Sequence, residues 1–340
     1  VSVPPALRFG VLSTARIARS FCRGLAGSRH VRVDAVASRD AGRAREFAAD
    51  LGIPRHLDSY EALLADPDID AVYIAVPNSL HAHWSIRALE SGKHVLCEKP
   101  LAVDAREAQQ MFAVAHAQGR HLAEGYPYRT QPQTLKLREL LQAGAIGRPR
   151  FVQAHFTFTL QREDDIRLQP LLAGGALMDV GCYCVSLIRM IAAQRPARVF
   201  AGALWTGDAG GVDRAIAATL EFPDGLIAQL TSGLAAALER HALIVGTDGV
   251  LQTSFFNHPP ASGRCELLFK SGRDSREDYQ SIPVPAMNGF LAEAEAFERL
   301  VRLGAAHWTG ATSEESIDIA QTLEAVLHSA RSGKPVDLPD

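Results

Sequence analysis

In the first 124 residues of this chain, short apolar runs alternate with stretches of helical spacing. The runs are Leu7 to Leu12, Val31 to Ala37, Ala71 to Val76, His94 to Cys97 and His121 to Ala123. Between them, Ala15 to Leu25, Ala41 to Leu51, Leu80 to Leu89 and the stretch from Asp104 to Ala117 read as helices. Ser59 caps a further short helix, and Gly92 and Gly119 stand where helices stop. Parallel strands cannot be closed by a tight turn and need a crossover, usually a helix, so this rhythm predicts βαβ units and a parallel sheet. Such a sheet binds ligands beyond the carboxyl ends of its strands.

After Glu124 the rhythm changes. Thr134 to Leu141 is helical and Phe151 to Leu160 extended; Gly174-Gly175 opens an apolar helix running to Ile191. Strand-like runs then cluster at 199–204, 215–222, 227–232, 241–245 and 265–269, with Pro223-Asp224-Gly225 as a hairpin turn. Two helices follow, 290–301 and 314–329. The expected organisation is α/β: residues 1–124 a doubly wound, dinucleotide-binding domain, and residues 125–340 an α+β domain with a large, mostly antiparallel sheet.

The chemistry-bearing residues stand at the strand ends. Glu98-Lys99-Pro100 closes the apolar run at Cys97. Pro100 has no backbone N–H, so the strand must end there, and burial at such a position can lower an amine's pKa toward a range useful for proton transfer. After the first run, Gly10-Val11-Leu12-Ser13-Thr14-Ala15-Arg16-Ile17-Ala18 leads into the first helix. A helix N-terminus offers unpaired N–H groups to a pyrophosphate; the same segment also reads as an ordinary βα turn. At the end of the second run stand Ser38 and Arg39, with Arg43 one turn on, where an NAD-binding site would carry an acid for the ribose 2′-hydroxyl. A guanidinium and a hydroxyl suit a 2′-phosphate, so NADP(H) is favoured over NAD(H). Asp40 either caps the next helix or repels that phosphate.

Charge removes other function classes. With 35 basic and 38 acidic residues the net charge is −3, with no long run of either sign, which argues against nucleic acid or an anionic membrane as the main partner. No apolar stretch reaches the roughly 18 residues expected of a membrane span, and Val1 to Pro5 lacks the pattern of a signal peptide. Cys22, Cys97, Cys182, Cys184 and Cys265 have no metal or disulfide spacing, so a reduced, cytoplasmic protein without a metal site is expected.

Taken in order, the Gly10 turn, Val76-Pro77-Asn78 with His81, Gly92 to Pro100, and Gly174-Gly175-Ala176-Leu177-Met178-Asp179-Val180-Gly181-Cys182-Tyr183 resemble the motifs of the Gfo/Idh/MocA oxidoreductases over nearly the whole chain. Ser38-Arg39 and Tyr183 look most like the branch with dimeric dihydrodiol dehydrogenase, D-xylose dehydrogenase and sugar-nucleotide 3-ketoreductases. The resemblance implies a Rossmann domain, NADP(H), and hydride transfer to or from a secondary alcohol or ketone of a sugar or cyclic polyol. It implies catalytic roles for Lys99, Asp179 and Tyr183, and places Pro77, Asn78, His81, Glu98, Lys99 and Arg129 near the cofactor. Read alone, Asn78 suits a turn, His81 a helix surface and Arg129 a surface salt bridge. The segment Gly125 to Gln133 departs from the branch, which often carries histidine where Gln131 stands, so substrate identity does not transfer.

Asp179 and Tyr183, four apart, share a helix face. Tyr183 is the first choice as proton donor or acceptor, helped toward phenolate by the Lys99 ammonium, which also polarises the substrate oxygen; the two roles could be exchanged. Asp179 would orient a neighbouring hydroxyl. Arg162 and Arg167, around Glu163-Asp164-Asp165, read as a solvated loop. Other readings of the family pattern are an NAD-dependent glycosidase working by transient oxidation and a sugar-sensing regulator. An apolar sheet face in the second domain predicts a homodimer or higher homo-oligomer.

Overall fold

A computed structural model describes residues 5–207, 210–257, 265–272 and 278–339; the start of the N-terminal segment, residues 1–4, lies outside them. Two compact units emerge, one of residues 1–102, 106–130 and 288–313, the other of 103–105, 131–287 and 314–340.

The first unit holds a six-stranded parallel sheet of β1 (Leu7–Leu12), β2 (Val31–Ala37), β3 (Arg55–Leu57), β4 (Ala71–Ile74), β5 (His94–Glu98) and β6 (Leu122–Gly125), ordered β3-β2-β1-β4-β5-β6. The crossovers are α1 (Arg16–Gly24), α2 (Ala41–Leu51), α3 (Tyr60–Ala65), α4 (His81–Glu90) and α5 (Ala105–Ala117). This is the doubly wound order, and it reverses between β1 and β4, which makes that crevice the ligand position. The apolar runs become fully buried strands, such as Ala71–Ile74. Strand β3 was not foreseen, because Arg-His-Leu carries no apolar run.

The second unit holds a nine-stranded sheet. Its strands are β7 (Pro149–Thr159), β8 (Arg198–Trp205), β9 (Asp213–Glu221), β10 (Ile227–Gly233), β11 (Ala235–Gly246), β12 (Gly249–Thr253), β13 (Glu266–Ser271), β14 (Gln280–Pro283) and β15 (Val336–Asp337). The order is β14-β13-β12-β11-β7-β10-β9-β8-β15, antiparallel except for the parallel β10–β7 pair. Alternation divides the faces. Val152, Ala154, Ala228, Leu230, Ala242 and Ile244 are buried, whereas Phe151, Phe200, Leu204 and Ile227 are exposed.

Helices α6 (Pro132–Gln142), α7 (Cys182–Ala192) and α9 (Ser313–Ser332) belong mainly to this unit, and α8 (Gly289–Leu303) to the first. A buried ion pair, Arg189 Nε to Asp318 Oδ2 at 2.8 Å, ties α7 to α9. Helix α8 returns Phe290 and Phe297 to the first core, where Phe21 stacks on Tyr73 at 3.8 Å and meets Phe290 edge-on at 6.3 Å. By length and composition Pro170–Ala192 would pass for a membrane span, contrary to the expectation from sequence; most of it is buried inside the fold, as a core segment.

Candidate functional site

In the first unit the turn after β1 is held by its own backbone. Ser13 donates its N–H to Ala37 O at 3.0 Å, joining the ends of β1 and β2. Its φ of 100° lies in the left-handed region where glycine is usual, and its Oγ accepts from Ala15 N at 3.1 Å. Gly10 has a packing reason: a Cβ there would come within 2.6 Å of Leu63 Cδ2 on α3. Ala15 begins α1 with no side-chain cap and no acid in the first turn. By contrast Asp40 caps α2 and Ser59 caps α3. The α1 terminus, with Thr14, Arg16 and Ile17 around it, therefore presents N–H groups and a positive dipole end to an anion.

At the end of β2, Ser38 is buried and its Oγ accepts from Asp40 N at 3.2 Å, while Arg39 is exposed. Asp40 Oδ1 accepts from Arg43 N at 3.1 Å, and the Arg43 guanidinium lies 3.6 Å from the same carboxylate. Both readings of Asp40 meet here: it caps the helix, and Arg43 balances its charge beside Arg39. Tyr60 is almost fully buried close to Ser13 and Arg39, beside both turns. Burial pushes its phenol up, outweighing the Arg39 charge. The bare helix terminus, the Ser38 hydroxyl and the exposed Arg39 fit a dinucleotide with a 2′-phosphate.

Further along the sheet, Lys99 follows β5 and its peptide to Pro100 is cis. Glu98 accepts a hydrogen bond from the Tyr73 hydroxyl. His81, read from sequence as helix surface or cofactor neighbour, is 1% exposed and spans two carbonyls, Nδ1 2.8 Å from Pro100 O and Nε2 3.0 Å from Val76 O. Burial, helped by the Lys99 charge, pushes it down to about 4, so the ring is neutral. It thereby pins the Val76-Pro77-Asn78 turn to the Lys99-Pro100 turn. Arg129 is 1% exposed in the turn Pro127–Thr130, which corrects the reading of it as a surface salt bridge.

In the second unit Asp179 and Tyr183 lie across the junction of a π-helical turn, Leu177–Gly181, with α7. Such a turn is often found at functional sites. The buried Asp213 sets its start, accepting from Leu177 N at 2.7 Å. Burial pushes that carboxyl up to about 6. Gly175, at φ 114°, is required here because a Cβ would strike Asp213 Oδ1 at 2.2 Å. Gly181 permits close packing on Ser232 of β10, 2.8 Å from where a Cβ would lie.

Asp179 Oδ2 receives Arg167 Nε at 2.6 Å, and Arg167 also reaches Asp165 Oδ1 at 3.1 Å. The solvated-loop reading therefore holds for the exposed Arg162–Asp164 pair but not for Arg167. Burial works against the Arg167 charge, yet the two carboxylates outweigh it and raise its pKa. Tyr183 is 4% exposed, its ring edge-on to Phe156 at 5.4 Å, and its Oη accepts from Asn257 Nδ2 at 2.9 Å. Arg240 lies over the Tyr183 ring, Cζ 4.4 Å from its centroid.

Sequence reading missed Tyr60, Arg167, Arg240 and Asn257. Arg240 falls in the polar part of β11, which was expected to begin only at His241. Gln131, where the family resemblance suggested histidine, is 2% exposed and donates to Phe256 O at 2.5 Å.

Comparison with known proteins adds a second line. Residues 7–126 match the family model described as an oxidoreductase family with an NAD-binding Rossmann fold, and residues 134–252 match the GFO/IDH/MocA C-terminal domain. A D-xylose 1-dehydrogenase (NADP(+)) from Haloferax volcanii is 38% identical over 336 residues, covering 98% of this chain and 100% of that protein. A dTDP-3,4-didehydro-2,6-dideoxy-alpha-D-glucose 3-reductase from Streptomyces violaceoruber is 36% identical, covering 94% of each. Among solved structures, a 3-ketoreductase from Actinomadura kijaniata in complex with NADP and TDP-benzene superposes with a TM-score of 0.83 at 33% identity, over 95% of this chain and 98% of that one.

Proposed function

The chain belongs to the Gfo/Idh/MocA oxidoreductase family, and from that premise we propose how its residues divide the work. It is an NADP(H)-dependent oxidoreductase acting on a CH–OH or keto carbon of a sugar or related polyol. The nicotinamide, when bound, takes or gives the hydride. The α1 terminus with Ser13, Thr14, Ala15, Arg16 and Ile17 binds the pyrophosphate, and Ser38, Arg39 and Arg43 bind the 2′-phosphate. Pro77 and Asn78 flank the cofactor on a turn that His81 holds, Glu98 and Arg129 support it, and Gly10 lets β1 pack beneath the site.

Tyr183 gives its phenolic proton to the substrate oxygen in reduction and takes it back in oxidation. Lys99 binds and polarises that oxygen. Asp179, aimed by Arg167, holds a neighbouring hydroxyl and so orients the ring. The observation that carries this reading is the buried Tyr183 phenol accepting from Asn257, which turns its own proton elsewhere. The test is a steady-state assay with NADPH and a panel of keto sugars, and with NADP+ and aldoses including D-xylose, on wild type, Tyr183→Phe and Lys99→Met. Unchanged turnover in Tyr183→Phe would overturn its role. Release of free sugar without net cofactor consumption would favour the glycosidase reading.

The chain forms a homodimer through the open face of the nine-stranded sheet. Phe151 and Ile227 are register partners there, and both are exposed. Phe200 and Leu204 extend the apolar area along β8. Sedimentation at micromolar concentration tests this, and a monomeric wild type would sink it. All five cysteines are buried and unbridged, which supports a cytoplasmic location.

A further inference from the structure

The geometry points to Arg240 and Asn257 as positioning residues that fix the direction of the Tyr183 hydroxyl and favour its phenolate, a role that rests on the assignment of Tyr183 as proton carrier. Arg240 is 5% exposed and lies among three aromatic rings, its Cζ 4.4 Å from the Phe156 centroid, 4.4 Å from Tyr183 and 4.8 Å from Phe255. A guanidinium over a ring is attracted to its electron-rich face, and the attraction grows when the ring carries negative charge. Ionising the phenol puts charge on the ring that the cation already covers.

Asn257 makes the second link. Its Oδ1 lies 3.2 Å from Arg240 Nη2, and its Nδ2 lies 2.9 Å from Tyr183 Oη. An amide could face either way, but a guanidinium has only donors, so the amide oxygen must face Arg240. That choice leaves the amide N–H for Tyr183. The phenol oxygen is thus an acceptor at this contact and directs its own proton away from Asn257. In the phenolate the same N–H becomes a charge-assisted donor, which stabilises the ionised form. Arg240 therefore acts twice, through the ring face and through the amide it orients.

The loop that carries Asn257 is built to hold it. Phe255 has φ 39°, a left-handed conformation strained for a bulky residue, and its ring is fully buried against Arg240. Phe255 N donates to Thr253 Oγ1 at 3.2 Å. Gln131 holds Phe256 O, and Gln133 Nε2 reaches Ser254 Oγ at 3.0 Å and Glu266 O at 2.8 Å. Gln131 and Gln133 thus serve Tyr183 through this loop.

Other titratable or charged groups bear on Tyr183 as well, the first being the Lys99 ammonium that the proposed function places at the same substrate oxygen. On its own helical segment are Asp179, neutralised by Arg167, and Cys182 and Cys184, both buried; burial pushes the Cys184 thiol up. Strand β7 presents Phe156, and β10 presents Ser232 at Gly181. From β11 the cation is Arg240.

The test is the pH dependence of kcat/KM for alcohol oxidation by the NADP+-loaded enzyme, with a near-ultraviolet titration of phenolate in wild type minus Tyr183→Phe. Arg240→Gln should move the acid limb about one unit upward, a loss of about tenfold below the limb that is recovered at high pH. Arg240→Lys, which keeps the charge, should move it less. Asn257→Asp turns the donor into an acceptor for the phenol proton and should shift the limb further than Asn257→Ala. A pH-independent loss in Arg240→Gln, or identical profiles for the two Asn257 variants, would overturn the proposal. If Arg240→Gln does not fold, the Asn257 pair decides. The phenolate titration separates the two readings: if Tyr183→Phe keeps full turnover, the proton-carrier role fails, while shifted titrations in the Arg240 and Asn257 variants still show the tuning of the phenol.

Discussion

The turns around Ser13 and Ser38 take their partners from the adjacent parallel strands and the helix caps that follow, as in Ser13 N to Ala37 O and Ala15 N to Ser13 Oγ. Tyr183 is set differently. Its Oη partner, Asn257, is 74 positions away, and the cation on its ring comes from a third segment, β11. A site of local backbone geometry tolerates change in side chains and responds in binding. A site assembled from distant side chains responds in chemistry, because each partner fixes the orientation of the next.

The sharpest break would come from Tyr183→Phe. Loss of a positioned proton donor should cut kcat by about 10³-fold, within the usual range for general acid–base groups. NADPH affinity should stay within about twofold, since the substitution removes no group proposed to bind the cofactor. A parallel loss of NADPH binding, read by fluorescence titration, would mean that the two regions are not separable in function.

The next contrast is in how the units answer to pH. His81 in the first unit is held neutral at about 4, below its ordinary 6.5. Its contribution is complete above pH 6.5 and is lost as pH falls toward 4, worth on the order of 3 kcal/mol for a fully buried ring. Asp213 in the second unit is raised from 3.8 to about 6, so its contribution is complete below 3.8 and is lost as pH rises through 6. In thermal melts, His81→Gln should gain on wild type as pH falls, and Asp213→Asn as pH rises. Two variants whose differences from wild type run in the same direction with pH would remove the contrast.

A smaller effect, confined to the first unit, is expected of Arg39→Ala. It should weaken NADPH by about thirtyfold, roughly 2 kcal/mol, through loss of charge-assisted bonds. NADH should change little and kcat at saturation should hold. Equal loss for both cofactors would mean that Arg39 acts through Tyr60 rather than on the 2′-phosphate.

What the chain disclosed in advance follows the same division. The parallel sheet was legible because buried strands read as apolar runs, as at Ala71–Ile74, and the strand-end residues were legible with it. Asp179 and Tyr183 were visible through their motif. Arg167 was not, because next to Glu163-Asp164-Asp165 it looks solvated, and only the fold brings it to Asp179. Arg240 sits in a polar stretch of β11, and Asn257 in a loop after β12, a strand that was not foreseen. No local pattern encodes a partner supplied by another strand. The open face of β8, with Phe200 and Leu204 exposed and Val199 and Ala201 buried, was legible as alternation, the same signal that marks a half-covered sheet.

The smallest effect is the most direct test of local tolerance. Ser13 occupies φ 100°, which costs a non-glycine residue on the order of 1–3 kcal/mol. Ser13→Gly relieves that strain but removes the acceptor for Ala15 N, a bond worth about 1 kcal/mol net. It also adds freedom to the unfolded chain, which costs a further fraction of a kcal/mol. The terms oppose one another, so stability should change by less than about 1 kcal/mol and NADPH affinity by a few-fold at most. The N–H of residue 13 still reaches Ala37 O, so the β1–β2 junction survives without the hydroxyl. A loss above about 2 kcal/mol in denaturant unfolding would mean that the Ser13 hydroxyl and its bond to Ala15 N, rather than the backbone, hold the turn, and that the first unit depends on side-chain contacts as fully as the second.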